Sequence, residues 1–455
     1  MPFTAPRQTS EITAAHALLP EGWARDVRLT LEDGWIADVE ADVAGLNAPD
    51  VLLLPGMVNA HARSPARAMA GLAQGFSGAE GDVDWRRRLS DLLLRATPAQ
   101  IGDIVRYAHV EMLEAGFTGI VEALGLHNAP SGTPYDNPGE IGGHVIRASE
   151  EAGTILTLLP QGRSVGGPDG AAPEAYERRS VTPPARFLRI VRRLTDIAAE
   201  REARIGFALA APWAMPPEAV RDALAEFAGP VQIVASERAR EALAHLSWIK
   251  ARALAWLCET YPVDTRWSLV GANHLIDDEI QRWAHTGAVA VACPTQGLET
   301  GAGIFPATRF VAAKGRLAIG SAEASRTGPA EELRMLELGQ RVRDRVRGGA
   351  VRVPEIGRAL FERSLRAGVQ VSGHRTGRID IGYRADLLTL DASDDALALR
   401  EGDGWLDGWI FAAGRRAVRD VWVGGRQRVE AGRHVDREPA RQAYLASARA
   451  LMNAV

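Results

Sequence analysis

The sequence predicts an α/β protein: a (β/α)8 TIM-like barrel carrying a small discontinuous β-sandwich subdomain from both chain ends. Three observations carry this reading. Between residues 51 and 321, apolar non-alternating strands alternate with amphipathic helical segments, the texture of a parallel sheet covered by helices. Eight such strands can be counted, in a tract of the size usual for a barrel, about 250 residues. Short strands with hairpin turns flank the tract on both sides. The boundaries read this way are 1–58 and 376–455 for the sandwich and 59–375 for the barrel.

The elements follow in order. Segments 17–19, 27–31 and 35–39 are apolar or alternating, with Asp33-Gly34 as a hairpin dipeptide. Residues 51–54 are a continuous apolar run that meets Pro55-Gly56; extended to Val58, it counts as the lead-in strand of the barrel. Helical and strand segments then pair as 101–115 with 119–122, 139–152 with 155–159, and 187–202 with 205–210. They continue as 217–228 with 231–235, 241–260 with 268–272, 279–286 with 289–293, and a last strand at 317–321. The Pro- and Gly-rich stretch 162–184 reads as a long βα loop, the kind that shapes an active-site face. Strand texture returns at 387–390, 409–411 and 418–423, with Gly424-Gly425 as a turn.

Composition bounds the function. The 455 residues are 46% hydrophobic and 24% charged with a formal charge of −4, which gives no electrostatic case for nucleic acid or an anionic membrane. Lys250 and Lys314 are the only lysines; the arginine excess reads as compositional bias. Cys258 and Cys293 are too few for a disulfide scaffold or a Cys-built zinc site, while ten histidines leave a His/Asp metal centre open. No run reaches the roughly 20 apolar residues of a membrane span, and the first ten residues lack a signal-peptide pattern. The expectation is a soluble cytoplasmic protein.

The segment Leu54-Pro-Gly-Met-Val-Asn-Ala-His61 resembles the amidohydrolase superfamily, and within it the formimidoylglutamate deiminases. Supporting segments are Arg67-Ala-Met-Ala-Gly71, Glu111-Met-Leu-Glu-Ala-Gly-Phe-Thr118, Gly303-Ile-Phe-Pro-Ala-Thr308, 331–341 and 382–388. The resemblance runs nearly end to end. It implies one zinc held by a His-x-His pair, a later His on another strand and an Asp after the last strand. In this chain the pair reads His61-Ala62-Arg63, Val234 stands at the later His, and Ala322 stands at the Asp. One imidazole cannot hold Zn²⁺, which takes about three protein ligands even in an open catalytic site. Arg63 adds a permanent positive charge. The expectation is therefore no metal and no other cofactor.

Other positions implied by the resemblance are mixed. Ala211-Pro212 is kept, but Trp213 replaces a His and Pro216 an Arg; Gly125 replaces a Tyr and Ala66 a Gln. Trp85-Arg86 matches a carboxylate-binding arginine, and Glu237 matches the proton-shuttling glutamate. Two histidines near the end of the following strand correspond to Gly271 and His274. Glu237 is thus either an acid–base group or a residue opening the next helix. His274 is a second acid–base candidate or a structural histidine. Arg63 anchors an anion or plugs the metal seat by pairing with Glu122, Glu237 or Glu323. Trp85, Arg86, Glu122, Trp213, Glu299 and Glu323 are the substrate-contact candidates, with rim charges as the alternative for Glu299 and Glu323. Cys293 reads as inert, since nothing beside it in sequence lowers a thiol pKa.

The functional expectation has three branches. The first is metal-independent transfer of a formimidoyl (amidine) group onto an amine, with a small amine or amidine as partner. The second is a non-catalytic binding or regulatory protein, and the third a residual iminohydrolase acting on C–N bonds. The resemblance also implies a homodimer.

Overall fold

The structure, a computed structural model, describes residues 8–72, 88–323 and 326–453. Among the described residues, seventeen strands fall into two sheets. The outer sheet joins β1 (Thr9–Leu19), β2 (Gly22–Glu32), β3 (Trp35–Glu40) and β4 (Val51–Pro55) to four strands from the other end of the chain. Those are β14 (Leu387–Asp391), β15 (Val418–Val423), β16 (Arg426–Glu430) and β17 (Arg433–His434). The order is β17-β16-β15-β14-β4-β1-β2-β3, so β4 is the join between the two chain ends. Its apolar filling, including Ile12, Val27, Leu29, Leu53 and Leu387, is a cluster of its own.

The barrel runs through β5 (Met57–Ala62), β6 (Phe117–Leu124), β7 (Ile155–Gly162), β9 (Phe207–Leu209), β10 (Val231–Ala235), β11 (Trp267–Gly271), β12 (Val289–Ala292) and β13 (Arg316–Ile319). A three-residue strand, β8 (Ala203–Ile205), pairs with β7 just before the chain enters β9. Every pairing is parallel, and the strands are almost wholly buried, as expected for a sheet covered by helices. The circle closes beyond β13, where Ala62 bridges Ala322 and the amides of Ser321 and Ala322 both donate to His61 O.

Four local expectations are corrected. The run 51–58 is two strands, not one barrel lead-in. It breaks at Gly56, where a Cβ would stand 2.3 Å from the Thr118 side chain, so only bare backbone passes from one sheet to the other. The segment 409–411 is no strand: helix Gly404–Gly408 continues into a π-helical turn, Trp409–Ala413, that buries Trp409 against Phe361. The stretch 241–260 is two helices, Ala239–Ile249 and Ala253–Thr260, separated by Lys250 in the left-handed region (φ 59°). The last described residues form a helix, Arg437–Asn453, in the tract where strand texture was expected to dominate. It docks on helix Pro98–Glu114 through stacked Tyr107 and Tyr444 and a Ser447–Asp103 hydrogen bond. Among the described residues, no helix is long and apolar enough to cross a membrane.

Candidate active site

Strand C-termini in a parallel barrel end on one face, and the loops leaving them build the site. Here those loops enclose a cavity of about 440 Å³. Arg63 follows β5, Gln161 is near the end of β7, Trp213 follows β9, Val234 is near the end of β10 and Ser236 just beyond it, and Glu323 follows β13. The long loop after β7 contributes Arg163, Glu177 and Arg179, and helix Ala239–Ile249 contributes Glu241 and His245.

Below the cavity runs a buried polar chain. Gln232 donates through Nε2 to Ala60 O and Ser268 Oγ, both at 3.1 Å, which leaves its Oε1 to accept 2.5 Å from His61 Nδ1. That contact assigns the proton to Nδ1. Burial, then the positive charge of Arg63, holds the His61 imidazole down to about 4, so it is neutral. Asn59 donates to Ser321 Oγ at 2.7 Å and accepts from Ser321 N, fixing the seam beside it.

Arg63 is paired with Glu323, at 2.6 Å, and Glu323 accepts a second hydrogen bond from Gln296 Nε2 at 2.8 Å. Glu122 is spent elsewhere: fully buried, it accepts from Ser64 N at 2.8 Å and Ser64 Oγ at 2.6 Å, outside the cavity lining. Val234 lines the cavity, whereas Ala322 packs in the barrel seam. Among the described residues, no group of three or more His, Cys, Asp or Glu side chains comes together in a way that could hold a metal ion.

The remaining candidates are scattered. Glu237 is buried, 3.8 Å from Arg238 Nη1, and lies one residue beyond the cavity-lining Ser236. Gly271, at φ +84°, lets it sit there, since a Cβ at 271 would stand 2.7 Å from Glu237 Cβ. His274 lies outside the lining and donates through Nε2 to Ala302 O at 3.0 Å, a structural bond. Glu299 is exposed at the end of helix Pro294–Glu299. Ala66, Gly125 and Trp213 all line the cavity. Trp85 and Arg86 lie outside the described residues. Burial and the neighbouring Glu332, Glu237 and Glu323 push the Cys293 thiol well up, which disfavours its thiolate.

Sequence reasoning passed over Gln161, Arg179, Ser236 and His245. No motif marks them. Only the i, i+4 spacing of Glu241 and His245, which puts both on one helix face, was available as a signal.

The barrel, the cavity at its strand C-termini and the outer sheet from both chain ends define a protein of the amidohydrolase superfamily. A sequence model of the family described as formimidoylglutamate deiminase HutF, N-terminal domain, matches residues 9–49. A formimidoylglutamate deiminase of Pseudomonas aeruginosa is 39% identical over 447 residues, covering 96% of this chain and 98% of the relative. The chain belongs to the formimidoylglutamate deiminase family. A crystal structure of an amidohydrolase from Brucella melitensis superposes with a TM-score of 0.91 at 35% identity, covering 97% of this chain and 99% of the other. An adenosine deaminase from Xanthomonas campestris, solved with bound zinc, shares the fold at a TM-score of 0.79 and 21% identity, covering 97% of each chain.

Proposed function

We propose that this chain acts on a formimidoyl-type C–N bond without a catalytic zinc, moving the group from one amine to another. Relatives of this chain are named as deiminases or deaminases; the reading turns on the residues this chain carries at the strand ends. The carrying observation is the Arg63–Glu323 ion pair beside His61. A guanidinium stands where the resemblance puts a ligand, its carboxylate partner is engaged by it, and Val234 and Ala322 offer no donor atoms. These residues do not fit zinc.

Amidine chemistry can proceed on such a site. A formimidoyl group is protonated near neutral pH, so its carbon is electrophilic without a Lewis acid. An incoming amine adds to that carbon through its lone pair. The old C–N bond then breaks, and one proton passes from the incoming to the departing nitrogen. No water is consumed and nothing is oxidised. One group alternating as base and acid suffices, which is the role the resemblance gives Glu237. The test incubates chelator-treated protein with formimidoylglutamate and a panel of primary amines, reading products by mass spectrometry. A new amidine is expected, slowed about 100-fold or more by Glu237→Gln. Turnover that appears only on adding zinc and yields ammonia would refute the reading.

A second reading, binding without turnover, draws on a separate observation: neither Glu237 nor His274 lines the cavity. It is favoured if formimidoylglutamate binds but no amine in the panel yields product.

A further inference from the structure

The cavity wall carries several buried polar atoms with no hydrogen-bond partner among the described residues: Gln161 Nε2, Ser236 Oγ, Arg179 Nη2, Arg63 Nε and His245 Nε2. Amide and guanidinium nitrogens can only donate. A hydroxyl such as Ser236 Oγ can do either, and His245 can only accept. Its Nδ1 lies 3.1 Å from Ala251 O, and a carbonyl only accepts, so the proton sits on Nδ1 and Nε2 keeps a bare lone pair. Burial holds the ring below the ordinary histidine value, which keeps that lone pair available at neutral pH.

The setting is built rather than incidental. His245 is 1% exposed and lies among three indoles, with ring centroids 6.0 Å from Trp213, 5.8 Å from Trp248 and 5.7 Å from Trp256. These come from three elements: the loop after β9, helix Ala239–Ile249 and helix Ala253–Thr260. Lys250, by turning left-handed between the two helices, brings the Ala251 carbonyl back to Nδ1. One helical turn earlier, Glu241 lines the same cavity, its Oε1 3.6 Å from Arg238 Nη1. Trp213 is the residue that stands where the resemblance puts a histidine, and it packs on His245.

We propose that His245 Nε2 is the ligand acceptor of this cavity, taking a hydrogen bond from an N–H of an amine or amidinium whose charge rests against Trp213 and Glu241. The inference deepens the reading above by naming the group that recognises the nitrogenous substrate, and it rests on that reading for the substrate class. An indole face attracts a cation, a carboxylate shared with Arg238 adds negative charge beside it, and the imidazole orients its N–H. A buried acceptor left without a partner is costly, and such a ligand satisfies it.

The test is calorimetric titration of the metal-free full-length chain with benzamidine, and with benzoate as the anionic control. His245→Phe keeps a ring and removes the acceptor; His245→Gln restores an acceptor oxygen. Benzamidine affinity is expected to fall about tenfold in the Phe variant and to recover largely in the Gln variant. Should the Phe variant not fold, the wild-type chain decides: in ¹⁵N-histidine spectra the His245 Nε2 signal must move on adding benzamidine. Unchanged affinity in His245→Phe, an unmoved Nε2 signal, or wild-type protein that ignores benzamidine overturns the assignment. Turnover is not read, so failure here leaves group transfer to its own assay, and failure of transfer leaves the binding result standing.

Discussion

Arg63 and Glu323 are 260 positions apart in sequence, yet they meet at 2.6 Å across the seam that closes the barrel. From the sequence, Glu122, Glu237 and Glu323 were equal candidates for that guanidinium. What separates them is local: Ser64, the residue after Arg63, takes both oxygens of Glu122, and Glu237 sits by Arg238. The residue types at 63, 234 and 322 were legible because identity at a position is a one-dimensional fact; the partner of Arg63 was not, because pairing is three-dimensional. His245 was illegible for the same reason, its role depending on three tryptophans and one carbonyl from separate elements. The residue-scale prediction tests the metal seat by reversal. His61 is held through Nδ1 by Gln232, which leaves Nε2 as the ligating atom. The triple variant Arg63→His, Val234→His and Ala322→Asp should therefore co-purify with about one zinc per chain, because three imidazoles and a carboxylate satisfy a catalytic site. Elemental analysis should find none in the parent protein. Equal zinc in both would show that these positions do not decide metal binding.

At the scale of elements, most strands and helices announced themselves by periodicity, and the failures have physical causes. Residues 51–58 read as one strand because apolarity does not report which sheet a residue joins; the switch is made by Gly56. Trp409–Ala413 has strand composition, but Gly408 lets the preceding helix approach Ala396 O, and the buried Trp409 holds the chain in a wide turn. Gly56 gives a sharp prediction. Its missing Cβ would stand 2.3 Å from both Thr118 Oγ1 and Cγ2, so Gly56→Ala forces the outer sheet and barrel apart. Overpacking of this kind costs about 3 kcal/mol, to be read from the urea midpoint. Adding Thr118→Ala removes the two nearest atoms and should restore part of the loss. Additive single and double variants would instead mean that the two residues do not meet.

The whole molecule binds its ends to its middle, and this was only half legible. The alternation of strands and helices gave the barrel, but nothing in the pattern shows that the terminal helix returns to helix Pro98–Glu114, where Arg437 and Arg415 both converge on the buried Glu114. Such dense burial fixes how stability depends on pH. Burial holds His127 and His374 down to about 4, each with Nε2 donating to a backbone carbonyl, of Gln161 and Leu156. A histidine whose folded value is depressed contributes stability that is present above its ordinary value of 6.5 and lost as pH falls through 4. For the fully buried His127 the difference amounts to roughly 3 kcal/mol at most. Glu332 acts in the opposite sense: burial raises it to about 8, so its contribution is complete below 4.5 and is lost as pH rises through 8. Chemical denaturation across pH 4 to 9 should therefore show stability falling towards both ends. His127→Asn should flatten the acid limb between 6.5 and 4, and Glu332→Gln the limb between 4.5 and 8. If both variants keep the wild-type slopes, those limbs arise from other groups and the burial of these two side chains does not govern them.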